Sequence, residues 1–215
     1  MTRHEVSERF AQRTAGSSAR VAASQPRARA VLCAVLHCAR RCVPYCATCA
    51  VLEIDVPTGE TKIINSDIVY DSSRSLNPVI DIGQVEGAFV PGVGFALTEQ
   101  FVYPSNGDFI GRLNSDNTRQ YKLPAITTSP LETNTHLYPR DRSKKTPENP
   151  SSLFSSNEVG EPPLVLASSV FLAAKAATPA SRVERGLDGF FQFAAPATVQ
   201  EVSRALDISL SAHHI

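Results

Sequence analysis

The chain lacks several features that mark common classes of protein. Its 215 residues contain no tryptophan and one methionine, and 21 Lys and Arg residues balance 21 Asp and Glu residues. A net charge of zero excludes broad electrostatic affinity for nucleic acid or for an anionic membrane surface. No continuous apolar run approaches the roughly 18–20 residues that cross a bilayer. Since 42% of the residues are hydrophobic and 20% are charged, we expect a globular domain with neither a nucleic-acid nor a membrane partner.

The charge is distributed unevenly along the chain. Residues 1–44 hold eight arginines and only two acidic residues, whereas residues 45–215 are mildly acidic. An Arg-rich, Ser-rich and acid-poor beginning is also typical of organellar transit peptides. We prefer to interpret residues 1–44 as a disordered or spurious leader and residues 45–215 as the domain. On that interpretation the chain is expected in the cytoplasm.

All five cysteines lie in one short segment, at Cys33, Cys38, Cys42, Cys46 and Cys49. A secreted disulfide scaffold would distribute its bridges through the fold. The last two cysteines form a C-x-x-C, but no second pair follows at zinc spacing, and the run fits neither common iron–sulfur pattern. We predict reduced thiols, the last two of them in a strand, and no protein-ligated metal.

Alternating apolar residues predict several strands. Ala47–Val56 and Lys62–Asp71 flank Pro57-Thr58-Gly59-Glu60, which predicts a β-hairpin. Three further segments are predicted to be extended, and the first of them is expected to turn at Asn106-Gly107: Leu97–Tyr103, Tyr121–Ile126 and Thr133–Tyr138.

Helical spacing appears in three other places. Apolar residues recur at helical intervals over residues 79–97, and a Pro-Pro pair begins a second helix over residues 162–177, which we expect to stop at Pro179. Thr198 and Glu201 form a capping box for a short final helix. The predicted strands and helices do not alternate regularly as they do in βαβ units, which predicts an α+β fold.

One carboxylate stands out by its position. Glu161 follows Val159-Gly160 and precedes Pro162-Pro163 at the start of the second helix. The structural interpretation is an acid favoured by the helix dipole, worth about 0.3–1 kcal/mol. The functional alternative is a general base, because Gly160 would let the backbone approach a ligand closely. The five histidines support no catalytic triad, and no phosphate-binding motif is present.

Several motifs in a fixed order carry a resemblance to one family. The residues from 45 to 207 resemble the C-terminal part of the molybdenum-cofactor-binding domain of the xanthine dehydrogenase/aldehyde oxidase family. The strongest matches are Asp81-Ile-Gly-Gln-Val-Glu-Gly-Ala-Phe-Val90 and Val159-Gly-Glu-Pro-Pro-Leu164. Supporting matches include Asp67-Ile-Val-Tyr-Asp71, Ser75-Leu-Asn-Pro78 and Ala195-Pro-Ala-Thr198.

The resemblance implies an oxidoreductase that hydroxylates aldehydes or N-heterocycles with oxygen from water. It implies a molybdenum–molybdopterin cofactor held without protein side-chain ligands to the metal. Glu161 then resembles the general base at the molybdenum centre, and Gln84 resembles a glutamine that hydrogen-bonds the pterin. The backbone of Glu158, Val159 and Gly160 resembles the loop beneath the cofactor.

Four residues at three places depart from the pattern of the family. Asn157-Glu158 stands where Lys-Ala is common, Ser73 where glycine is usual, and Pro91 where a helix commonly has glutamine. A proline within a regular helix costs about 3 kcal/mol. The segment 131–155 carries what resembles an insertion.

The parts of the family that the resemblance does not cover suggest two alternatives. The iron–sulfur domains, the flavin domain and the first half of the molybdenum domain have no counterpart here, so we expect this chain to bind neither iron–sulfur clusters nor FAD. It then acts with the remainder of a molybdenum hydroxylase, in a family that is often homodimeric. The alternative is a catalytically inactive remnant or interaction module.

Overall fold

The computed structural model describes residues 22–24, 27–36, 45–105, 110–138 and 156–208. They form one five-stranded sheet whose spatial order follows the sequence, with helices packed against it. The strands are β1 Ala22–Ser24, β2 Arg27–Leu36, β3 Cys46–Asp55, β4 Thr61–Tyr70 and β5 Glu132–Leu137. Neighbouring strands from β1 to β4 are antiparallel, and β5 is parallel to β4. The predicted α+β class is confirmed.

The predicted hairpin is the centre of the sheet. Strands β3 and β4 pair along their lengths, with a register shift between Val51 and Leu52. The turn between them needs Gly59, which has a φ of +76° and donates its N–H to the Asp55 carbonyl at 2.8 Å. Alternate residues such as Ile54 and Ile68 are fully buried, so one face of the hairpin forms the core.

The sheet extends into the segment that we interpreted as a leader. Strand β2 pairs with β3 from Arg27 to Leu36, so the boundary after residue 44 is not an edge of the sheet. Ala28 and Ala30 are fully buried, while Arg27 and Arg29, which alternate with them, form ion pairs with Glu53 at 3.2 and 2.8 Å. In the sequence, this short alternation of arginine and alanine resembles the rest of the Arg-rich segment, so it did not indicate a strand. Residues 1–21 and 37–44 lie outside the described part of the chain.

The first helix, α1, runs over Pro78–Leu97 and confirms the prediction for residues 79–97. Asn77 caps it, because its Oδ1 accepts hydrogen bonds from the N–H groups of Val79 and Ile80 at 3.2 and 3.5 Å. Val85, Phe89 and Val93 are fully buried on one side of this helix. That apolar stripe packs α1 onto the rest of the protein.

The second predicted helix is two helices, α2 Pro162–Leu166 and α3 Ser168–Glu184. The prediction that it stops at Pro179 is wrong. Helix α3 packs on β2 and β3 and buries Val170, Ala173, Ala174 and Ala177 completely, so tertiary packing carries it past the proline. By length and composition alone, Pro162–Glu184 is long and apolar enough to cross a membrane. Half of its most apolar 18-residue stretch is buried in this core.

The final helix, α4 Val199–Ala205, docks against the β3–β4 turn. Thr198 caps it by accepting the Glu201 N–H at 3.3 Å, which confirms half of the predicted capping box. The Glu201 carboxylate instead accepts the Ala194 N–H and pairs with Arg204. A Cβ at Gly59 would lie 2.2 Å from the Ser203 Oγ, so the turn and the helix approach as closely as glycine permits.

Two of the three other predicted extended segments are not strands. Thr133–Tyr138 is confirmed as β5. In the predicted segment Leu97–Tyr103, Leu97 ends α1 and the rest forms a loop, and Tyr121–Ile126 is also a loop. The Val102 N–H is satisfied by the Ser115 hydroxyl at 3.0 Å instead of by a neighbouring strand. The Asn-Gly turn lies outside the described residues.

We expect replacement of Pro91 by alanine to raise the free energy of unfolding by about 3 kcal/mol, since Pro91 is exposed and lies within the regular helix α1. Urea denaturation of the full chain measures this change. The matched control is Gly87→Ala on the same exposed side, where a Cβ meets nothing within 4 Å. Its expected gain is about 1 kcal/mol. A Pro91→Ala chain no more stable than this control would contradict the expectation.

Ser73 has a φ of +58°, in the left-handed region that glycine tolerates without a steric penalty. Ser73→Gly should therefore raise the free energy of unfolding by about 1 kcal/mol. The same denaturation experiment checks it, with Ser105→Gly as the control at a position outside the left-handed region. Equal effects at both serines would show that the Ser73 backbone conformation costs nothing.

Candidate functional site

The loop that precedes Glu161 is attached to the end of strand β4. The Tyr70 hydroxyl donates a hydrogen bond to the Glu158 carbonyl. The Asn157 side-chain amide donates to the Asp71 carbonyl at 3.0 Å, and the Asn157 backbone N–H donates to the Ser72 carbonyl at 3.0 Å. An isolated antiparallel bridge joins Ser73 to Ser156. These contacts join segments that lie more than 80 residues apart in the sequence.

The surroundings of Tyr70 keep its hydroxyl protonated. Burial is the main cause that raises the pKa of Tyr70, and the nearby Cys46, Glu158, Asp71 and Asp81 raise it further. Burial and then Asp71 raise the pKa of the Cys46 thiol to about 12. Both groups are therefore neutral near pH 7, and the Tyr70 O–H remains available as a donor.

Glu161 stands at the N-terminal end of α2 with an exposed side chain. It makes no side-chain capping hydrogen bond, so its carboxylate is not used to satisfy the N–H groups of that helix. A Cβ at Gly160 would meet nothing within 4 Å, while Val159 packs against the core. The loop therefore leaves free space beside Gly160, and the Glu161 carboxylate is adjacent to that space.

Gln84 lies on the exposed side of α1, between Gly83 and Gly87. A Cβ at either glycine would meet nothing within 4 Å. Helix α2 crosses α1 at Gly92, where a Cβ would lie 2.5 Å from the Leu164 carbonyl oxygen. Gln84 precedes that crossing by eight residues, which is about 12 Å along the helix axis.

The structure thus brings the predicted residues together in two groups. One group is the loop that contains Glu158, Val159, Gly160 and Glu161. The other is Gln84 on α1, which is crossed by α2, the helix that follows this loop. Among the described residues, no hydrogen bond joins Gln84 to Glu161.

Sequence reasoning missed three residues around this loop. Tyr70 and Asn157 hold it, and Asp81 is 7% exposed with an Oδ2 that has no hydrogen-bond partner in the described part of the chain. In the sequence, Asn157 stands out only as a departure from the family pattern. The sequence around Tyr70 shows only the apolar alternation of a strand and nothing that marks its hydroxyl as a donor, because its partner lies 88 residues away.

The described residues include no group of three His, Cys, Asp or Glu side chains that could hold a metal ion. Cys46 and Cys49 are buried in β3, as the strand prediction for them expected. The side chains of Cys33, Cys38 and Cys42 lie outside the described structure.

Residues 16–130 match the family model of the molybdopterin cofactor-binding domain. The matched range begins before residue 45 and so includes β1 and β2.

Curated relatives agree with this match. The chain is 45% identical over 159 residues to "Probable aldehyde oxidase 2" of Oryza sativa subsp. japonica, covering 72% of this chain and 11% of that protein. It is 40% identical over 157 residues to "Xanthine dehydrogenase" of Dictyostelium discoideum, covering 73% of this chain and 11% of that protein. The chain therefore spans about a tenth of the length of these relatives.

The fold is also found in solved structures. Quinoline 2-oxidoreductase from Pseudomonas putida 86 superposes with a TM-score of 0.61 at 21% identity, covering 77% of this chain and 19% of that chain. With a family model that matches more than half of its residues, the chain belongs to the molybdenum hydroxylase family of aldehyde oxidases and xanthine dehydrogenases, as part of the molybdopterin cofactor-binding domain.

Proposed function

We propose that this chain forms part of a molybdenum hydroxylase that oxidises aldehydes or N-heterocycles with oxygen from water. Glu161 acts as the general base, and Gln84 and the backbone of Glu158, Val159 and Gly160 contact the cofactor. One observation carries the proposal. The exposed Glu161 carboxylate has no capping role and adjoins the open side of Gly160, on a loop held by the end of β4.

The residues present fit a bulky pterin cofactor. The fully exposed residues on this side of α1 are uncharged: Val79, Ile80, Gly83, Gln84, Gly87, Pro91 and Phe95. The half-buried Glu86 lies beside them. The Gln84 amide offers both donors and an acceptor. The open space beside Gly83, Gly87 and Gly160 would let a ligand approach the backbone.

When bound, molybdenum–molybdopterin supplies the two-electron redox centre of the reaction. Conversion of R–H and water to R–OH releases two electrons and two protons, so a proton acceptor has to lie within hydrogen-bond reach of the reacting water. The Glu161 carboxylate oxygens supply that acceptor. The electrons leave to an acceptor that the described residues do not provide, which is consistent with a chain that spans 11% of its relatives.

The exposed side of α1 supports completion of the domain by further polypeptide. Val79, Ile80 and Phe95 are 79%, 58% and 72% exposed, and burial of such side chains against a partner is favourable. We propose that the remainder of a molybdenum hydroxylase covers Val79, Ile80 and Phe95 toward the two ends of the helix and leaves the middle, at Gly83, Gln84 and Gly87, to the cofactor. The alternative, a chain that persists as an inactive remnant or interaction module, predicts no cofactor in any complex.

We expect Glu161→Gln to lower turnover by a factor of about 10²–10⁴ in an assembled complex without lowering its cofactor content, because it removes the base and keeps the shape. The full chain is co-expressed with a related hydroxylase that lacks the corresponding segment. Molybdenum is measured by mass spectrometry, pterin by fluorescence after oxidation, and turnover with an aldehyde and a purine. Glu86→Gln on α1 is the matched control and should leave turnover unchanged.

Gln84→Ala tests the contact with the cofactor in the same complex. Loss of its amide should reduce pterin occupancy, whereas Glu161→Gln should not. Full turnover of the Glu161→Gln complex would exclude the role of this residue as base. Failure of the chain to join any pterin-containing complex would favour the inactive remnant.

A further inference from the structure

We infer that Tyr70 and Asn157 are positioning residues for Glu161, which they hold from the end of strand β4. This inference rests on the proposed role of Glu161, because it assigns to two distant residues the task of placing that carboxylate. Neither residue touches the carboxylate itself. Both act through the backbone of the loop before it.

The first attachment is the Tyr70 hydroxyl. The Tyr70 side chain is fully buried at the end of β4, and its O–H donates to the carbonyl of Glu158, three residues before Glu161. A donor on a buried aromatic ring has little rotational freedom. Since a hydrogen bond in a low-dielectric environment is stronger than one in water, this contact fixes the Glu158 peptide relative to the sheet.

The second attachment is Asn157. Its side chain and its backbone donate to two successive carbonyls, those of Asp71 and Ser72, each at 3.0 Å. One residue therefore binds the segment that follows β4 at two points. Together with the Ser73–Ser156 bridge, these bonds leave little freedom for the loop to slide along that segment.

The loop is also fixed beyond Glu161. Pro162 and Pro163 are buried, and their rings restrict φ. Glu161 thus lies between Glu158 on one side and two buried prolines on the other. Gly160 is the most flexible residue in this interval, and a Cβ there would meet nothing within 4 Å. If the hydrogen bonds of Asn157 and Glu158 were lost, the Glu161 carboxylate could therefore change its position.

Accurate placement matters because a general base works only within hydrogen-bond reach of its proton, and a displacement of about 1 Å can cost a factor of about 100 in rate. A side chain supported by packed residues keeps such a position. The buried Tyr70 and the doubly bonded Asn157 are side chains that attach the start of this loop to the end of β4.

The test compares Tyr70→Phe with Tyr121→Phe in the full chain. Both changes remove one hydroxyl and keep the ring, but Tyr121 donates to Glu99, away from this loop. The backbone order parameters of Val159, Gly160 and Glu161 are measured by ¹⁵N relaxation. We expect Tyr70→Phe to lower them from about 0.85 to below about 0.6, with Tyr121→Phe leaving them unchanged.

Asn157→Ala provides an independent variant, because residue 157 is only half-buried and its replacement leaves the core intact. It should lower the same order parameters. The matched control is Asn134→Ala, which removes an amide that donates to Asp67 at 3.0 Å on the edge strand. A uniform loss of order through the chain, or no change at residues 159–161 in either variant, would overturn the inference.

The assembled complex separates this inference from the proposed function. Tyr70→Phe should lower kcat by about 10–100-fold with little change in KM, because a displaced base affects the chemical step. If Glu161→Gln abolishes turnover while Tyr70→Phe changes neither kcat nor the order parameters, the positioning role alone is wrong. If Tyr70→Phe loosens the loop but Glu161→Gln retains turnover, the proposed base is wrong and the attachment stands.

Discussion

The structure around the candidate site depends on the hydrogen bonds at the end of strand β4. There the Tyr70 carbonyl accepts the Tyr138 N–H at 2.7 Å, and the Asp71 N–H donates to the Tyr45 carbonyl at 2.9 Å. The Tyr70 hydroxyl adds the bond to Glu158. Three segments distant in sequence thus meet at two consecutive residues. Because each contact uses a buried or half-buried polar group, loss of any one leaves a donor or acceptor unsatisfied.

A second constraint is steric and involves glycine. Gly92 allows α2 to cross α1 so closely that a Cβ would clash with the Leu164 carbonyl oxygen and with the Ala167 side chain. That crossing sets the position of α2, and Glu161 is the N-cap residue directly before this helix. The hydrogen bonds at β4 and the crossing at Gly92 therefore act on the same short segment from two sides.

Much of the fold could be predicted locally. Alternation in β3 and β4 and the Pro-Thr-Gly turn were sufficient for the hairpin, and the spacing of Val85, Phe89 and Val93 was sufficient for α1. Strand β2 was missed because its arginines resemble a leader until they are seen opposite Glu53. The helix that continues past Pro179 was missed because its stability comes from packing on the sheet, which no local rule includes.

The sequence by itself determined the family of the chain and the identity of the residues proposed for the site. The motifs around Gln84 and Glu161 are contiguous, so they can be recognised without any knowledge of the fold. Only the tertiary structure decided what holds Glu161 in place, because Tyr70 and Asn157 become neighbours when β4 and a loop 86 residues later come together. A hydrogen bond depends on the distance between two atoms in space, and that distance cannot be read from their separation along the chain.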